Sequence, residues 1–211
     1  MPSSPTILLH GLGLTRRSME PLARKLASHG FQTLNLDYPS RKFLLETLAG
    51  HVWADLQTHF GASPPPLNFV SHSMGGIVLR VLARDFPVQI ARAVMFAPPN
   101  QGSEWADLVP RVGLGKVMGP AALQVGTSSD SLPNQLGAVN FPLGVIAGRV
   151  PDNPLAPFIF SGPNDGRVSV ARTKVAGMAD HVTFPAGHFF LRYLPGVVRQ
   201  TVAFLERGEF I

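Results

Sequence analysis

The sequence predicts an α/β fold in which about six strands form a mostly parallel sheet with helices on both faces. Short apolar runs alternate along the chain with segments whose apolar residues recur at spacings of three and four, which is typical of βαβ units. Apolar residues predominate in these runs, as expected of parallel strands that are covered on both faces. With 211 residues, 45% of them apolar and 15% charged, the chain can build one hydrophobic core. We therefore expect a single domain over residues 1–211.

The first half of the chain predicts two strands, each followed by a helix. Residues 6–10 form an apolar run that leads into a glycine-rich stretch. A helix follows from about Ser18 and ends at Gly30, and residues 31–36 form the second strand. The second helix ends before three consecutive prolines, which cannot continue it. The apolar stripes of these helices are Met19, Leu22 and Leu26, and then Leu45, Leu48, Val52, Leu56 and Phe60.

The second half predicts four further strands. A strand at residues 67–71 leads through a turn at Ser73 into a third helix, which extends to about Asp85. The remaining strands are expected at residues 93–97, 143–147 and 181–184. A last helix carries one apolar face, made by Val198, Val202 and Leu205.

Residues 101–140 differ from the rest of the chain, with six glycines, three prolines and weak periodicity. We expect irregular structure with short helices here rather than a second domain. A segment of this length in a compact domain is often functional, so it predicts a lid or a wall of a binding pocket. Ordinary packing beneath a loop is the alternative. The side chains expected to line such a pocket are Trp105, Leu108, Val112, Leu114, Met118 and Leu123.

The composition excludes several kinds of site. Without cysteine, the chain has no disulfide, thiolate nucleophile or cysteine metal site. It contains neither the glycine pattern of a dinucleotide site nor that of a Walker A loop, and no carboxylate pair marks a calcium site, so we expect no cofactor and no metal. The net charge of +5 comes from scattered basic pairs without interleaved aromatic residues, which indicates a solvated face and no nucleic-acid partner. Contact with lipid aggregates stays open.

The chain shows no targeting segment. The residues before the first strand lack a basic stretch, and the apolar run that follows is too short for a signal peptide. A proline, glycine, asparagine or charge interrupts every window of about 18 residues that could form a transmembrane helix. We expect a cytoplasmic location for the sequence as given, with secretion after processing left open.

The strongest local signal is the segment Phe-Val-Ser-His-Ser-Met-Gly-Gly at residues 69–76. A nucleophile on a sharp strand-to-helix turn needs very small neighbours two positions before and after it, because the two backbones approach closely there. Ser71 and Gly75 satisfy this requirement around Ser73. The turn also places Ser73 at a helix N-terminus, which favours developing negative charge. A helix cap or a purely structural turn is the alternative.

A serine nucleophile needs a base, and the base needs a group that holds its tautomer. His188 follows the last predicted strand and precedes the last helix, where a loop can return it to the carboxyl ends of the strands. Asp165 lies in the turn sequence Asn-Asp-Gly after the fifth strand, and Asp152, nearer to that strand, is the alternative acid. The backbone N–H groups of Leu12 and Met74 are candidate donors to an oxyanion.

With these segments in order, the chain resembles the α/β-hydrolase superfamily and, within it, small bacterial lipases and esterases. The resemblance covers nearly the whole chain. It is carried by His-Gly at 10–11, Ser-His-Ser-Met-Gly at 71–75, Ala-Pro-Pro-Asn-Gln-Gly-Ser at 97–103, Asn-Asp-Gly-Arg-Val at 164–168 and Gly-His at 187–188.

The resemblance implies a minimal α/β-hydrolase fold that lacks the two antiparallel strands preceding the first strand in larger members. It implies Ser73 as nucleophile, Asp165 as acid and His188 as base, in the chain order of the superfamily, with the oxyanion bound by Leu12 and Met74. Ser71 departs from the superfamily pattern, which has glycine at that position.

The resulting hypothesis is hydrolysis of a carboxylic ester through an acyl-enzyme, with Trp105, Leu108 and Met118 lining the acyl pocket. A thioesterase or acyltransferase with the same three residues is the first alternative, since the fold does not determine the leaving group. A non-catalytic binding protein is the second.

Overall fold

The computed structural model describes residues 4–111, 113 and 115–211. Its centre is a sheet of six parallel strands in the order β2-β1-β3-β4-β5-β6. The strands are β1 (Thr6–Leu9), β2 (Thr33–Asn35), β3 (Leu67–His72), β4 (Ile90–Phe96), β5 (Leu143–Gly148) and β6 (Asp180–Phe184). The predicted fold class and all six predicted strands are confirmed.

Two strands differ in length from the prediction, for different reasons. β2 is a half-buried edge strand that pairs with β1 over three residues, so most of the apolar run at 31–36 lies outside the ladder. β4 begins at Ile90, three residues before the apolar run. Its first residues are only half-buried, and backbone pairing with β3 rather than apolar character places Arg92 in the strand.

Ten α-helices connect and cover the strands of the described chain. The longer ones are α1 (Glu20–Ser28), α2 (Leu45–Phe60), α3 (Met74–Asp85), α4 (Glu104–Arg111) and α10 (Pro195–Arg207). The single-turn helices are α5 (Gly115–Met118), α6 (Pro120–Leu123), α7 (Leu132–Gln135), α8 (Ala156–Ile159) and α9 (Val170–Thr173). Short 3-10 helices span Arg16–Ser18 and Leu191–Tyr193. No helix among the described residues combines the length and the apolar character that crossing a bilayer requires.

The sheet separates two hydrophobic clusters. One contains α2 and α3, and the other contains α1 and α10. Successive strand residues alternate between them: Ile7 and Leu9 of β1 belong to the first cluster and Leu8 to the second. Both faces of each central strand are therefore buried, which is why apolar residues occupy both faces of these strands.

The described residues between 101 and 140 include the helices α4 to α7 with turns between them, in agreement with the prediction, and polar contacts connect them to the rest of the fold. The Ser103 hydroxyl donates to the Arg167 carbonyl oxygen at 2.6 Å, and the Leu45 N–H donates to Gln124 Oε1 at 2.7 Å. Within the segment, Asp107 accepts hydrogen bonds from the N–H and hydroxyl groups of Thr127 at 2.9 and 2.6 Å. The position of the segment thus depends on contacts between residues distant in sequence.

Candidate active site

The turn between β3 and α3 holds Ser73 in a backbone conformation that L-residues rarely adopt, with φ 55° and ψ −126°. The Ser73 N–H donates to the Phe96 carbonyl oxygen at 2.8 Å, which ties the turn to the end of β4. A Cβ atom on Gly75 would lie 2.7 Å from the carbonyl oxygens of both Leu9 and His10, so only glycine fits there. The turn therefore presents the Ser73 side chain at the carboxyl edge of the sheet.

Ser71 occupies the other position that requires a small residue, and its side chain is fully buried. Its hydroxyl has no hydrogen-bond partner among the described residues. Serine is thus tolerated sterically where the superfamily pattern has glycine, and its hydroxyl contributes no described contact.

The structure brings His188 between Ser73 and Asp165. His188 Nε2 lies 2.9 Å from Ser73 Oγ, and His188 Nδ1 lies 2.7 Å from Asp165 Oδ2. The His188 N–H also donates to the Asp165 carbonyl oxygen at 2.9 Å. His188 and Asp165 are buried, whereas Ser73 is partly accessible. An imidazole that donates from Nδ1 to a carboxylate has Nε2 available to accept the serine proton.

Asp165 is held by its own loop. Its Oδ1 atom accepts hydrogen bonds from the N–H groups of Arg167 at 2.9 Å and Val168 at 2.8 Å. Two such bonds to one oxygen fix the orientation of a carboxylate. The loop therefore directs Oδ2 at the imidazole.

Asp152, the alternative acid, lies beside the same loops but has a different partner. Its Oδ2 atom accepts the Phe189 N–H at 3.2 Å. Its side chain also packs against Gly166 and Gly187, where an added Cβ would lie 2.8 and 2.5 Å from Asp152 atoms. Asp152 thus connects the Asp165 loop to the His188 loop, and the described hydrogen bonds link it to neither imidazole nitrogen of His188.

His72, the last residue of β3, is a further buried histidine beside Ser73. It is fully buried, and its Nε2 lies 3.0 Å from the His188 carbonyl oxygen. Burial of the ring is the main reason that the pKa of His72 lies well below its usual value, and the neighbouring His188 lowers it further. The neutral ring therefore donates from Nε2 to that carbonyl and fastens the His188 loop to the Ser73 turn. A histidine at the buried end of a strand, next to a candidate nucleophile, was the available signal.

We expect His72 to make stability depend on pH. Its unfolded-state pKa is about 6.5 and its folded-state pKa is lower, so below that pH the unfolded chain binds a proton that the folded chain does not. Stability should fall with falling pH in this window, by up to about 1.4 kcal/mol per pH unit from this group. In chemical denaturation, the stability of His72→Gln should fall less steeply than that of the parent as the pH drops from about 7 to about 5. His59→Gln, at an exposed position, is the control. Parallel slopes for the parent and His72→Gln would contradict the assignment.

The loop after β1 carries Leu12, the other candidate oxyanion donor besides Met74. Neither the Leu12 N–H nor the Met74 N–H donates to a described residue, and both residues line the cavity that opens at Ser73. The Tyr38 hydroxyl donates to the His10 carbonyl oxygen, and Gly13 N–H donates to Ser40 Oγ at 3.0 Å. These contacts hold the loop beside the Ser73 turn and leave the Leu12 N–H without a described acceptor.

The cavity has a volume of about 500 Å³ and a mainly apolar lining. Trp105, Leu108 and Met118 line it, as predicted, and the unpredicted lining includes Val109 and Arg167. Leu123 does not line it. In α6, Ala121 and Ala122 are buried, so Leu123 lies on the outer side of this single turn and is 53% exposed. Val112 and Leu114, also predicted to line the pocket, lie outside the described residues.

A parallel sheet and a strained serine at a strand-to-helix turn are together the structural features of the α/β-hydrolase class of proteins. The chain belongs to the alpha/beta hydrolase family, whose model matches residues 6–202. The predicted membership of the superfamily is thus confirmed.

Solved structures share the fold at low sequence identity. A lipase of Bacillus licheniformis in its mature form superposes with a TM-score of 0.69 and 17% identity, covering 99% of this chain and 93% of the lipase. A thermophilic esterase from Thermogutta terrifontis gives a TM-score of 0.65 and 17% identity, covering 98% of this chain and 90% of the esterase. Among curated sequences, a putative non-heme haloperoxidase of Mycobacterium phage D29 is 29% identical over 97 residues, which span 44% of this chain and 35% of the relative. This match therefore extends over about a third of the relative's length.

Proposed function

We propose that the protein hydrolyses carboxylic esters through an acyl-enzyme, with Ser73 as nucleophile, His188 as general base and acid, and Asp165 as the residue that orients His188. The observation that carries the proposal is the hydrogen-bonded series from Asp165 Oδ2 through His188 to Ser73 Oγ, with distances of 2.7 and 2.9 Å. The series ends at a mainly apolar cavity, which suits an acyl chain.

The first half of the reaction forms the acyl-enzyme. Ser73 Oγ attacks the carbonyl carbon of the ester while its proton passes to His188 Nε2. The carbonyl oxygen becomes an oxyanion that the N–H groups of Leu12 and Met74 bind, each worth about 3 kcal/mol of barrier. His188 then gives the proton to the departing alcohol oxygen, and the carbon–oxygen bond breaks.

Water completes the cycle by the same route. His188 Nε2 takes a proton from the water that attacks the acyl carbon, and then returns it to Ser73 Oγ as the carboxylic acid leaves. Asp165 stabilises the imidazolium in both halves. Its remaining oxygen is bound by two backbone N–H groups, so it stays oriented throughout.

The experiment that tests the proposal is hydrolysis of p-nitrophenyl esters from short to long acyl chains, with thioesters of matched acyl length beside them. A rate of nitrophenolate release that saturates with substrate concentration, together with faster turnover of the oxygen esters than of the matched thioesters, supports an esterase. Faster turnover of the thioesters would identify a thioesterase. Ligand-induced stabilisation without turnover of either series would contradict hydrolysis and support a binding protein.

A lipid aggregate is a further candidate form of the substrate, because exposed apolar side chains surround the cavity. Leu155 and Phe189 line the cavity and are 54% and 36% exposed, and their neighbours Phe158 and Phe190 are 88% and 62% exposed. Apolar side chains this exposed near a ligand cavity are typical of a surface that contacts lipid.

We expect Phe158→Ser to lower turnover of an emulsified triglyceride about tenfold, because it removes one large apolar side chain from the contact. Turnover of a short, dissolved ester should change less than about twofold. Ile211→Ser is the matched control. Ile211 is 71% exposed, and its neighbour Phe210 contacts Asp180 at the amino end of β6, away from the cavity. An equal loss in Phe158→Ser and Ile211→Ser would rule out a specific lipid contact at Phe158.

A further inference from the structure

The wall of the cavity carries one cation. Arg167 lines the same cavity as Ser73, and its guanidinium carbon lies 4.1 Å from the centre of the Trp105 ring and 5.6 Å from that of Phe189. Stacking against aromatic faces holds a guanidinium in one orientation and leaves its edges available for hydrogen bonds. The contacts therefore orient Arg167 without satisfying its N–H donors.

The described residues provide no partner for this charge. No side-chain hydrogen bond or ion pair of Arg167 occurs among them, and its Nε atom is buried without a partner. Arg172 differs in this respect, since its guanidinium contacts Glu104 at 3.0 Å and the Gln101 carbonyl oxygen at 2.8 Å. Arg80 likewise donates to three backbone carbonyl oxygens of the described chain.

The two carboxylates whose charge reaches Arg167 are already bound elsewhere. Asp165 accepts from His188 and from two backbone N–H groups, and Asp152 accepts from the Phe189 N–H. Burial lowers the pKa of Arg167, while Asp152 and Asp165 act in the opposite direction. A guanidinium remains a cation at neutral pH after a shift of this kind. The cavity thus presents an oriented positive charge that has no directly contacting ion-pair or hydrogen-bond partner among the described residues, within a mainly apolar lining.

An oxyanion on a ligand can provide the hydrogen-bond acceptor that the Arg167 guanidinium lacks among the described residues. A carboxylate or phosphate can accept two parallel N–H bonds from a guanidinium, which are stronger than neutral hydrogen bonds and gain strength away from water. We propose that Arg167 is a specificity-determining residue that binds an oxyanion carried by the ester substrate, so that the preferred substrates are acyl esters with a carboxylate or phosphate group. This inference rests on the proposed ester hydrolysis at Ser73.

The test compares neutral and anionic esters of matched acyl chain length. One arm places the charge on the acyl part: a p-nitrophenyl ester of a fatty acid against the p-nitrophenyl monoester of the dicarboxylic acid of equal chain length. The other arm places it on the alcohol part: a monoacylglycerol against the same acyl chain on glycerol phosphate. For each pair, kcat/KM is measured for the parent, Arg167→Gln, Arg167→Lys and Arg84→Gln. Arg84 is an exposed arginine paired with Asp85, so its variant controls for the change in net charge.

We expect Arg167→Gln to lower kcat/KM for the anionic ester of at least one arm by about 10- to 100-fold and to change the neutral partner less than about threefold. Arg167→Lys should recover part of the loss, because lysine keeps the charge without the planar pair of donors. Arg84→Gln should behave as the parent. Thermal unfolding of Arg167→Gln checks that the variant is folded. Equal losses for the neutral and anionic esters in both arms would overturn the inference.

A binding measurement separates this inference from the proposed reaction. Calorimetry with Ser73→Ala and with Ser73→Ala/Arg167→Gln uses the acylglycerol phosphate and the dicarboxylic monoester as anionic probes, with their neutral partners as references. Tighter binding of an anionic probe that disappears in the double variant supports the subsite even if the parent hydrolyses no ester. Equal affinities of the two variants for both anionic probes overturn the subsite, whatever the parent hydrolyses.

Discussion

Ser73→Ala is expected to lower kcat for ester hydrolysis by about 10⁴- to 10⁶-fold, with the fold intact. The variant removes the atom that forms the covalent intermediate, and His188 then has no hydroxyl within reach to activate. Binding and the backbone donors of Leu12 and Met74 would remain, so a small residual rate above that of water is expected. The measurement is kcat for the best p-nitrophenyl ester of the series, with the burst of product in the first turnover as a count of acylated sites.

Ser71→Ala is the matched control for this variant. It removes a hydroxyl two residues away that is fully buried and has no described hydrogen-bond partner. We expect its kcat to stay within about threefold of the parent and its stability to be unchanged or slightly raised, since a buried unpaired hydroxyl is itself unfavourable. If Ser73→Ala and the parent hydrolyse the ester at equal rates, Ser73 is not the nucleophile and the proposed reaction is wrong.

The sheet was predictable from sequence because its central strands are buried on both faces. Their runs are rich in apolar residues, and turn residues separate them from the elements that follow. Element bounds were less accurate where backbone pairing, not apolar character, extends a strand, as at Ile90. The first helix begins at Glu20 rather than near Ser18, because the residues before it form a separate 3-10 turn.

The arrangement of residues 101–140 was not predictable, since it depends on contacts that leave no local pattern. The Ser103 hydroxyl meets a carbonyl oxygen 64 positions away, and Leu45 meets Gln124 across 79 positions. The exposed position of Leu123 has the same origin: a single helical turn has too few residues to show a periodicity, so its apolar side could not be assigned.

Residue type and local sequence singled out Ser73 and His188 and left Asp165 and Asp152 as candidate acids, and the structure places His188 within hydrogen-bond distance of both Ser73 and Asp165. His72 and Arg167 were missed for a physical reason. His72 has a backbone carbonyl 116 positions away as its partner, and any residue type provides such a carbonyl. Arg167 is defined by the absence of a described partner and by two aromatic rings that are distant in sequence, one in α4 and one in the His188 loop, and neither property can be read from a sequence.

The second large effect on kcat is expected from substitution of Asp165, one of the two candidate acids. Asp165→Asn is expected to lower kcat by about 10⁴-fold, although the side chain keeps its shape. The amide oxygen can still accept from the Arg167 and Val168 N–H groups, which turns the amide nitrogen toward His188 Nδ1. An N–H donor there favours the tautomer with the proton on Nε2, and that tautomer cannot take the proton of Ser73.

Asp152→Asn provides the contrast, because it makes the same isosteric change beside the same loops. Its carboxylate accepts one N–H, from Phe189, and an amide oxygen can replace it in that bond. We expect kcat to fall less than about tenfold, because Asp165 still accepts the proton of His188 Nδ1. Any loss of activity should be accompanied by lower thermal stability, since Asp152 connects the Asp165 loop to the His188 loop. Both variants are compared with the parent by kcat across pH and by thermal unfolding. If Asp152→Asn loses more activity than Asp165→Asn while both remain folded, the acid is Asp152. The hydrogen bond between Asp165 and His188 would then be structural.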